Sequence, residues 1–332
     1  MSTAQGGLVQ RMEDHQIAIY LAALALGALL GWAAPAAGPG LEYAINPVLG
    51  ALLFVTFLQV PAGDLVRSLR DGRFMGAALV VNFVVVPLVV AAMFAFLPAD
   101  QAVRLGVLLV LLCPCVDYVI VFSGLAGADS RRLLAATPVL LVAQMLLLPV
   151  FLYLFMGSGL GEVVDAGPFL EAFLVLIVIP LALALALQAW AARRPVGRTV
   201  SRAATTTMVP LMAATLITVV ASQLPKLGGS LGDVAAVVPF YAAFLVVMAF
   251  AGRGVARLFR LDTAASRAVV FTGATRNSLV VLPLALALPD DLAVAAVVVV
   301  TQTLVEVLGM VAYVRLVPRL VPAPARPVVT AG

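Results

Sequence analysis

The chain has 332 residues, of which 64% are hydrophobic and 11% are charged, and its mean hydropathy is +1.15. Soluble globular proteins carry about 25% charged residues and are about half apolar, so this composition excludes a soluble protein and predicts an integral membrane protein. The formal net charge is +4, but the basic residues are spread over many short loops. We therefore expect membrane topology, and not nucleic-acid binding, to explain where they lie.

Apolar runs of about 20 residues predict an all-α protein with ten transmembrane helices. An extracytoplasmic linker at 158–168 separates a first five-helix repeat, 17–157, from a second, 169–317. A cytoplasmic tail, 1–16, precedes the repeats, and a Pro-rich tail, 318–332, which we expect to be disordered, follows them. The ten runs lie at 17–35, 41–61, 74–97, 103–126, 133–157, 169–192, 204–224, 234–252, 268–289 and 292–317.

The basic residues are distributed unequally between the two sides of this predicted topology. Seventeen of the 20 Lys and Arg residues fall on one side, and only Arg104 and Lys226 fall on the other. Short cytoplasmic loops are enriched in Lys and Arg. The distribution predicts a bacterial inner-membrane protein with both termini in the cytoplasm and an even number of spans.

The two halves of the chain carry similar features at similar places. The only two tryptophans, Trp32 and Trp190, end the first and sixth spans, although Trp also favours span ends in general. Pro114 interrupts the fourth span and Gly273 the ninth. Proline removes a backbone donor and glycine leaves helical geometry at low cost, so both positions predict broken helices.

An odd number of spans in each half means that the second half enters the membrane from the opposite side. The halves are therefore predicted to be inverted repeats with a broken helix at the same place in each. This pattern is the sequence feature that best indicates the binding site of a secondary transporter. Backbone groups freed at such breaks cannot face lipid, and half-helix N-termini present a partial positive charge to anions.

Three charged side chains fall in the interior of predicted spans, away from the span ends: Asp117, Arg276 and Glu306. A charge at bilayer depth costs about 2.5–3.5 kcal/mol on insertion scales and usually marks a functional site. Arg276 is a candidate fixed cation for an anionic substrate, and Asp117 is its candidate counter-ion or a proton carrier. The alternative is a buried ion pair that only holds the halves together.

Glu306 is a second candidate proton carrier, because removal from water favours the neutral form of a carboxyl group. The alternative is a protonated side chain that only hydrogen-bonds a neighbouring helix. Cys113 and Cys115 are candidate ligands of a soft ion, although cysteine is also an ordinary small residue in membrane spans. Three more polar residues are candidates for substrate or ion contacts, with interhelical hydrogen bonding as the alternative: Asn82, Asn277 and Ser278.

No Walker loop, metal-ligand cluster, Ser–His pair or nucleotide-binding motif occurs in the sequence. We therefore expect neither ATP-driven transport nor an enzyme activity, and neither a cofactor nor a resident metal.

Several segments resemble the bile acid:sodium symporter superfamily, and within it the arsenite efflux permeases. Residues 115–123 are similar to the permeases' fourth-span motif, with Cys115 on its cysteine, which makes Cys115 a candidate transient ligand of As(III). Asn82 with Pro87 is similar to their third-span Asn-x4-Pro, and residues 304–307 to their tenth-span Leu-Ile-Glu-Val, with Glu306 on its glutamate. The resemblance implies two five-helix inverted repeats arranged as a panel and a core domain, whose core carries the crossing broken fourth and ninth helices.

The ninth span departs from both groups. Residues 276–279 read Arg-Asn-Ser-Leu where the permeases carry Asn-Asn-Phe-Glu, and residues 271–277 lack the sodium-ligating Glu of the symporters. A fixed guanidinium disfavours a nearby sodium ion and is able to replace its charge. Proton coupling through Asp117 or Glu306 is therefore favoured over sodium coupling.

Together these features predict a proton-coupled secondary transporter that exports arsenite or antimonite across the inner membrane. The alternative is a sodium- or proton-coupled transporter of a small organic anion, which rests on Arg276. A receptor or scaffold without transport is disfavoured by the paired breaks. The sequence makes no prediction about the oligomeric state.

Overall fold

A computed structural model describes residues 10–12, 15–59, 71–115, 118–157, 171, 174–225 and 231–323. All regular secondary structure within these ranges is helical. The predicted linker at 158–168 and the predicted charge at Asp117 lie outside the described residues. The last helix continues to Leu320, three residues into the segment predicted as a disordered tail.

The described residues of the first half of the chain include seven α-helices. A π-helical turn, Val81–Val85, joins α3 to α4, so these two form one continuous helical rod. The helices are α1, Gln16–Ala33; α2, Gly38–Leu58; α3, Gly72–Val80; α4, Val86–Phe94; α5, Gln101–Leu111; α6, Tyr118–Leu125; and α7, Ser130–Met156.

The part of the second half that the structure describes also includes seven α-helices. Another π-helical turn, Leu174–Val178, leads directly into the first of them. The helices are α8, Ile179–Arg193; α9, Pro195–Thr205; α10, Met208–Gln223; α11, Leu231–Leu258; α12, Thr263–Ala274; α13, Ser278–Leu286; and α14, Val294–Leu320.

Four of the described helical segments are long and apolar enough to cross a membrane: Pro35–Leu58, Gly72–Phe94, Ala235–Leu258 and Val294–Leu320. The number rises to six if α7, which bends by 48°, and the α9–α10 pair, which bends by 42°, are each counted as one span. These helices make the protein a multi-pass membrane protein. Helices α5 and α12, the first halves of the predicted fourth and ninth spans, are too short to cross alone, so the count of ten remains a prediction.

Contacts between helices divide the structure into two groups. Helix α10 packs against α1 and α2, and α8 packs against α2 and α9; we call these five helices the small bundle. Helix α14 packs against α5, α11 and α13, and α12 packs against α3, α6, α7 and α11; with α4 these form the large bundle. The two bundles meet where α10 contacts α14 and where α2 contacts α13.

Glycines allow the closest approach within the small bundle. A Cβ atom at Gly27 would lie 3.0 Å from the carbonyl oxygen of Ile217, and one at Gly31 would lie 2.9 Å from that of Ala221. Two small residues four positions apart let helix backbones approach in a membrane, where packing rather than water exclusion drives association. This pair therefore fixes α1 on α10.

Candidate functional site

The two predicted helix breaks lie against each other inside the large bundle. Helix α5 ends at Leu111 and α6 begins at Tyr118, and residues 275–277 separate α12 from α13. Pro114 and Arg276 form an isolated antiparallel bridge at the point where the breaks meet. We call residues 113–115 and 275–277 the crossing.

Backbone hydrogen bonds join the two segments of the crossing. The Cys115 amide donates to the Thr275 carbonyl over 3.1 Å, and the Asn277 amide donates to the Cys113 carbonyl over 2.8 Å. A broken helix frees backbone groups that must be satisfied away from lipid. Each break therefore supplies partners for the other.

Arg276 projects its guanidinium towards the ends of the two preceding half-helices. Nη1 donates to the Leu111 carbonyl at 3.2 Å, at the end of α5. Nη2 donates to the Thr272 carbonyl at 2.7 Å and the Gly273 carbonyl at 2.8 Å, near the end of α12, and to Asn82 Oδ1 at 2.7 Å. The side chain is fully buried. It therefore neutralises the negative ends of two helix dipoles.

The guanidinium also lies over the ring of Phe244, with Cζ 5.6 Å from the ring centroid. Its Nε is buried without a hydrogen-bond partner among the described residues. Within those residues no carboxylate forms an ion pair with this guanidinium. The predicted pairing of Arg276 with Asp117 stays a prediction, because Asp117 lies outside the described residues.

Glu306 lies on the other side of the crossing, where the second half-helices begin. Its Oε1 accepts a hydrogen bond from the Tyr118 hydroxyl at 2.6 Å, at the start of α6. Its Oε2 accepts from the Arg276 backbone amide at 2.8 Å and from Gln302 Nε2. The carboxyl group is 1% exposed, so these three donors replace the water that an ionised carboxylate needs.

Asn277 and Ser278 hold the start of α13. The Asn277 side chain accepts the Val280 amide at 3.3 Å as an N-cap, and its Nδ2 is buried without a partner among the described residues. The Ser278 hydroxyl accepts a hydrogen bond from Thr303 at 2.7 Å, which ties α13 to α14. Both residues therefore position the half-helix that follows the crossing.

Neither Cys113 nor Cys115 forms a disulfide bond, and both are buried. They flank Pro114 in the bridged, non-helical segment. Among the described residues, no three His, Cys, Asp or Glu side chains are grouped to hold a metal ion. The two cysteines therefore offer at most a two-thiol site.

A cavity of about 580 Å³ lies between the two bundles. Residues from α1, α2, α6, α7, α9 and α10 line it, and every described lining side chain is uncharged. Ile120 and Val121, on the first turn of α6, bring the wall within one helical turn of Tyr118 and hence of the crossing. The polar part of the wall comprises Gln16, Thr56, Gln59, Thr205 and Thr206.

A separate charged group lies where three helices of the large bundle begin. Arg132 lies 3.2 Å from carboxylate oxygens of Asp71 and Asp129, and 2.9 Å from one of Asp262. Each aspartate also caps a helix N-terminus, of α3, α7 and α12 respectively. The hydrogen bond from the Ala265 amide and the nearby Arg132 guanidinium lower the pKa of Asp262 below 3.8. We call these four residues the aspartate cluster.

Sequence reasoning named Arg276, Glu306, Asn82 and both cysteines as separate candidates, and the structure brings these residues together around the crossing. It missed Tyr118 and Phe244, which contact Glu306 and Arg276. A hydroxyl beside a predicted helix break was an available signal for Tyr118. No local signal indicated Phe244, because it reaches Arg276 only through the packing of α11 on α12.

The comparisons with known proteins agree with this architecture. No curated protein matches the chain. Residues 17–320 match the model of the SBF-like CPA transporter family, which is related to the bile acid:sodium symporters. This match indicates a membrane transporter rather than an enzyme. Because it covers nearly the whole chain, the protein belongs to the SBF-like CPA transporter family.

Proposed function

We propose that the protein is a proton-coupled secondary transporter that exports arsenite or antimonite across the bacterial inner membrane, with both termini in the cytoplasm. The observation that carries the proposal is the crossing of two helix breaks, with Cys113 and Cys115 in one of them, beside a cavity between two helix bundles. Crossing breaks place freed backbone groups and half-helix ends where a solute is able to use them.

The two bundles supply the moving parts. The cavity lies between them, whereas the crossing lies wholly within the large bundle. A rigid rotation of one bundle against the other closes this cavity and opens its counterpart on the opposite side. The ten-span inverted repeat and the panel-and-core arrangement are part of this proposal, with the small bundle as the panel and the large bundle as the core.

The chemistry of the site favours arsenite over an anion. Arsenite is a neutral hydroxide at neutral pH, and the described wall of the cavity carries no charged side chain. Trivalent arsenic binds soft sulfur ligands, and two neighbouring thiols bind it less permanently than three. Both cysteines are buried in this conformation, so the proposal requires the crossing to become accessible during the transport cycle.

Glu306 is the proposed proton carrier. Its carboxylate joins α6, the ninth-span break and α14 through Tyr118, Arg276 and Gln302. Protonation removes acceptor capacity from an oxygen that two of these donors share. Proton binding therefore loosens the link between α14 and the crossing, which is the coupling that an exchanger needs.

A small organic anion is the second candidate substrate. Helices α6 and α13 both begin at the crossing, and the Arg276 guanidinium lies beside it. Against this candidate, the Nη hydrogen bonds of Arg276 all go to groups of the protein.

Arsenite tolerance and vesicle transport test the proposal. We expect a strain that lacks its own arsenite exporters to become tolerant when it expresses the protein, and Cys115→Ser to return it to the vector level. Ser123→Ala is the matched control, since Ser123 is a buried side chain on the adjoining helix α6 that donates only to the nearby Ile120 carbonyl. Equal membrane levels of the variants are verified by immunoblot.

Everted membrane vesicles separate the substrate from the coupling ion. We expect radiolabelled arsenite to accumulate when an acid-inside ΔpH is imposed without sodium, because protons then leave the lumen as arsenite enters it. We expect Glu306→Gln to remove the dependence on ΔpH. Full tolerance with Cys115→Ser contradicts the arsenite assignment. Accumulation of carboxylates that stops with Arg276→Gln favours the second candidate instead.

A further inference from the structure

Among the described residues, four oxygen atoms accept hydrogen bonds from the Arg276 guanidinium, and all four belong to uncharged groups. Three are the backbone carbonyls of Leu111, Thr272 and Gly273, and the fourth is Oδ1 of Asn82. They come from the end of α5, the end of α12 and the π-helical turn Val81–Val85. We call these four atoms the oxygen cage.

The oxygen cage is electronegative because of where its atoms lie. The last carbonyls of a helix have no intrahelical partner, and the helix dipole adds partial negative charge there. Two such ends meet at the cage. Carbonyl oxygens arranged around a buried space are the ligands with which channels and transporters replace the water of an alkali cation.

Local packing holds the cage in shape. Asn82 Nδ2 donates to the Ala78 carbonyl at 3.0 Å and to Thr272 Oγ1 at 3.2 Å, which turns Oδ1 towards Arg276. A Cβ atom at Gly273 would lie 2.7 Å from Cγ2 of Val81, so only glycine allows α12 to lie this close to the π-helical turn. The oxygens therefore stay in place without the guanidinium.

The guanidinium does not match the cage fully. It carries five N–H donors, and Nε remains buried without a partner among the described residues. An arginine site built for its fork geometry satisfies these donors in parallel pairs. In the cage, three of the four oxygens instead accept hydrogen bonds from the single atom Nη2. Several oxygens around one point are the arrangement expected for a compact positive charge.

We infer that Arg276 is a tethered cation in a site of alkali-cation type, and that a free monovalent cation enters the oxygen cage when the side chain is truncated. The protein then carries permanently the positive charge that other carriers take from solution. This inference rests on the proposed transport function only for its consequence, which is that transport needs no sodium. The occupancy of the cage is measured without any substrate.

The test is thermal unfolding of purified Arg276→Ala in detergent. Sodium, potassium and guanidinium chlorides at low concentration are compared with choline chloride at the same ionic strength. We expect guanidinium or an alkali cation to raise the melting temperature saturably, by about 5 °C at a concentration about a hundred times Kd. The wild-type protein is expected to show no cation-specific shift.

Arg267→Ala is the matched control. Arg267 also donates only to backbone carbonyls among the described residues, those of Ala126, Gly127 and Val321, but it is partly exposed. Water replaces this guanidinium when it is removed, so no cation-specific shift is expected. Adding Asn82→Ala to Arg276→Ala removes one cage oxygen and is expected to weaken the response at least tenfold in concentration.

Equal melting temperatures of Arg276→Ala in all four salts overturn the inference, as does an equal response from Arg267→Ala. If Arg276→Ala aggregates on extraction, the yield of monodisperse protein becomes the measurement. Recovery with sodium, potassium or guanidinium but not with choline supports the tethered cation, and recovery with none of them overturns it. If the wild-type protein transports no arsenite in vesicles while Arg276→Ala still responds to cations, the proposed function is refuted and the tethered cation is not.

Discussion

The crossing and the aspartate cluster hold their charged side chains in different ways. At the crossing, Arg276 is held by neutral oxygens and Glu306 by neutral donors, and both are buried. In the aspartate cluster, Arg132 contacts three carboxylates directly, and its side chain is 37% exposed. The same residue types are therefore stabilised by helix ends in one region and by counter-ions in the other.

The difference follows from the surroundings of each region. Counter-ions near water are screened, and an exposed pair contributes little to stability. Inside the membrane domain an unsatisfied charge or donor is far more costly, so each one needs a fixed partner. Substitutions at the crossing should therefore have larger effects than substitutions in the aspartate cluster.

The largest effect is expected from Glu306→Ala. The substitution leaves the Tyr118 hydroxyl, the Arg276 amide and Gln302 Nε2 without their buried acceptor, which is expected to cost about 3–5 kcal/mol of unfolding free energy. Glu306→Gln keeps an acceptor oxygen in place and is expected to cost clearly less. Thermal unfolding in detergent measures both variants, and equal losses contradict the assigned hydrogen bonds.

Asn82→Leu is expected to cost about 2–3 kcal/mol, because it removes an acceptor from a buried cation. Gln144→Leu is the control within the same fold. Gln144 is also a buried amide, but its Oε1 has no partner among the described residues. A similar loss of melting temperature from both variants would show that the amide of Asn82 has no special role.

Tyr118→Phe is expected to cost about 1–2 kcal/mol, since its hydroxyl donates to a carboxylate. Tyr241→Phe removes a buried hydroxyl that donates to the Val298 carbonyl at 3.0 Å, and is expected to cost less. Melting temperatures of the two variants compare a charged acceptor with a neutral one directly. A larger loss of melting temperature from Tyr241→Phe than from Tyr118→Phe would contradict the expectation that substitutions at the crossing have the larger effects.

Asp262→Asn is expected to have the smallest effect, below about 1 kcal/mol and smaller still at high salt. Because the pKa of Asp262 is lowered in the folded protein, its ionised carboxylate contributes to the unfolding free energy at neutral pH, and this contribution is lost as the pH falls below 3.8. Melting temperatures of wild type and Asp262→Asn should therefore differ at pH 7 and converge in acid. A difference that grows in acid would contradict this sign.

Sequence reasoning identified the features of the site that depend on single residues. Pro114 marks a break because of its own backbone chemistry, whereas Gly273, predicted as the other break, lies in the last turn of α12, and the break follows it at 275–277. Arg276 and Glu306 stand out because charges are rare in apolar runs. The hydrogen-bond partners of these residues could not be predicted from the sequence. Every residue has a backbone carbonyl, and only the packing of α5 beside α12 shows which carbonyls accept hydrogen bonds from Arg276.

The arrangement of the helices shows the same limit. Apolar runs located most helices, but α12 begins at Thr263, five residues before the predicted ninth span, because Asp262 caps it in the aspartate cluster. The division into a small and a large bundle depends on contacts between helices far apart in sequence. The resemblance to a known superfamily implied a panel and a core domain, and their identity with the two bundles stays a proposal.

The hydrogen bonds that join the crossing run from backbone to backbone. No side chain at Cys113, Cys115 or Thr275 is needed to make them, so these positions are interchangeable as far as the architecture is concerned. A homologous protein is therefore able to exchange thiols for hydroxyl or amide groups there and accept a different solute on an unchanged frame. Under the proposed function, side chains at this site determine the substrate, whereas backbone hydrogen bonds maintain the fold.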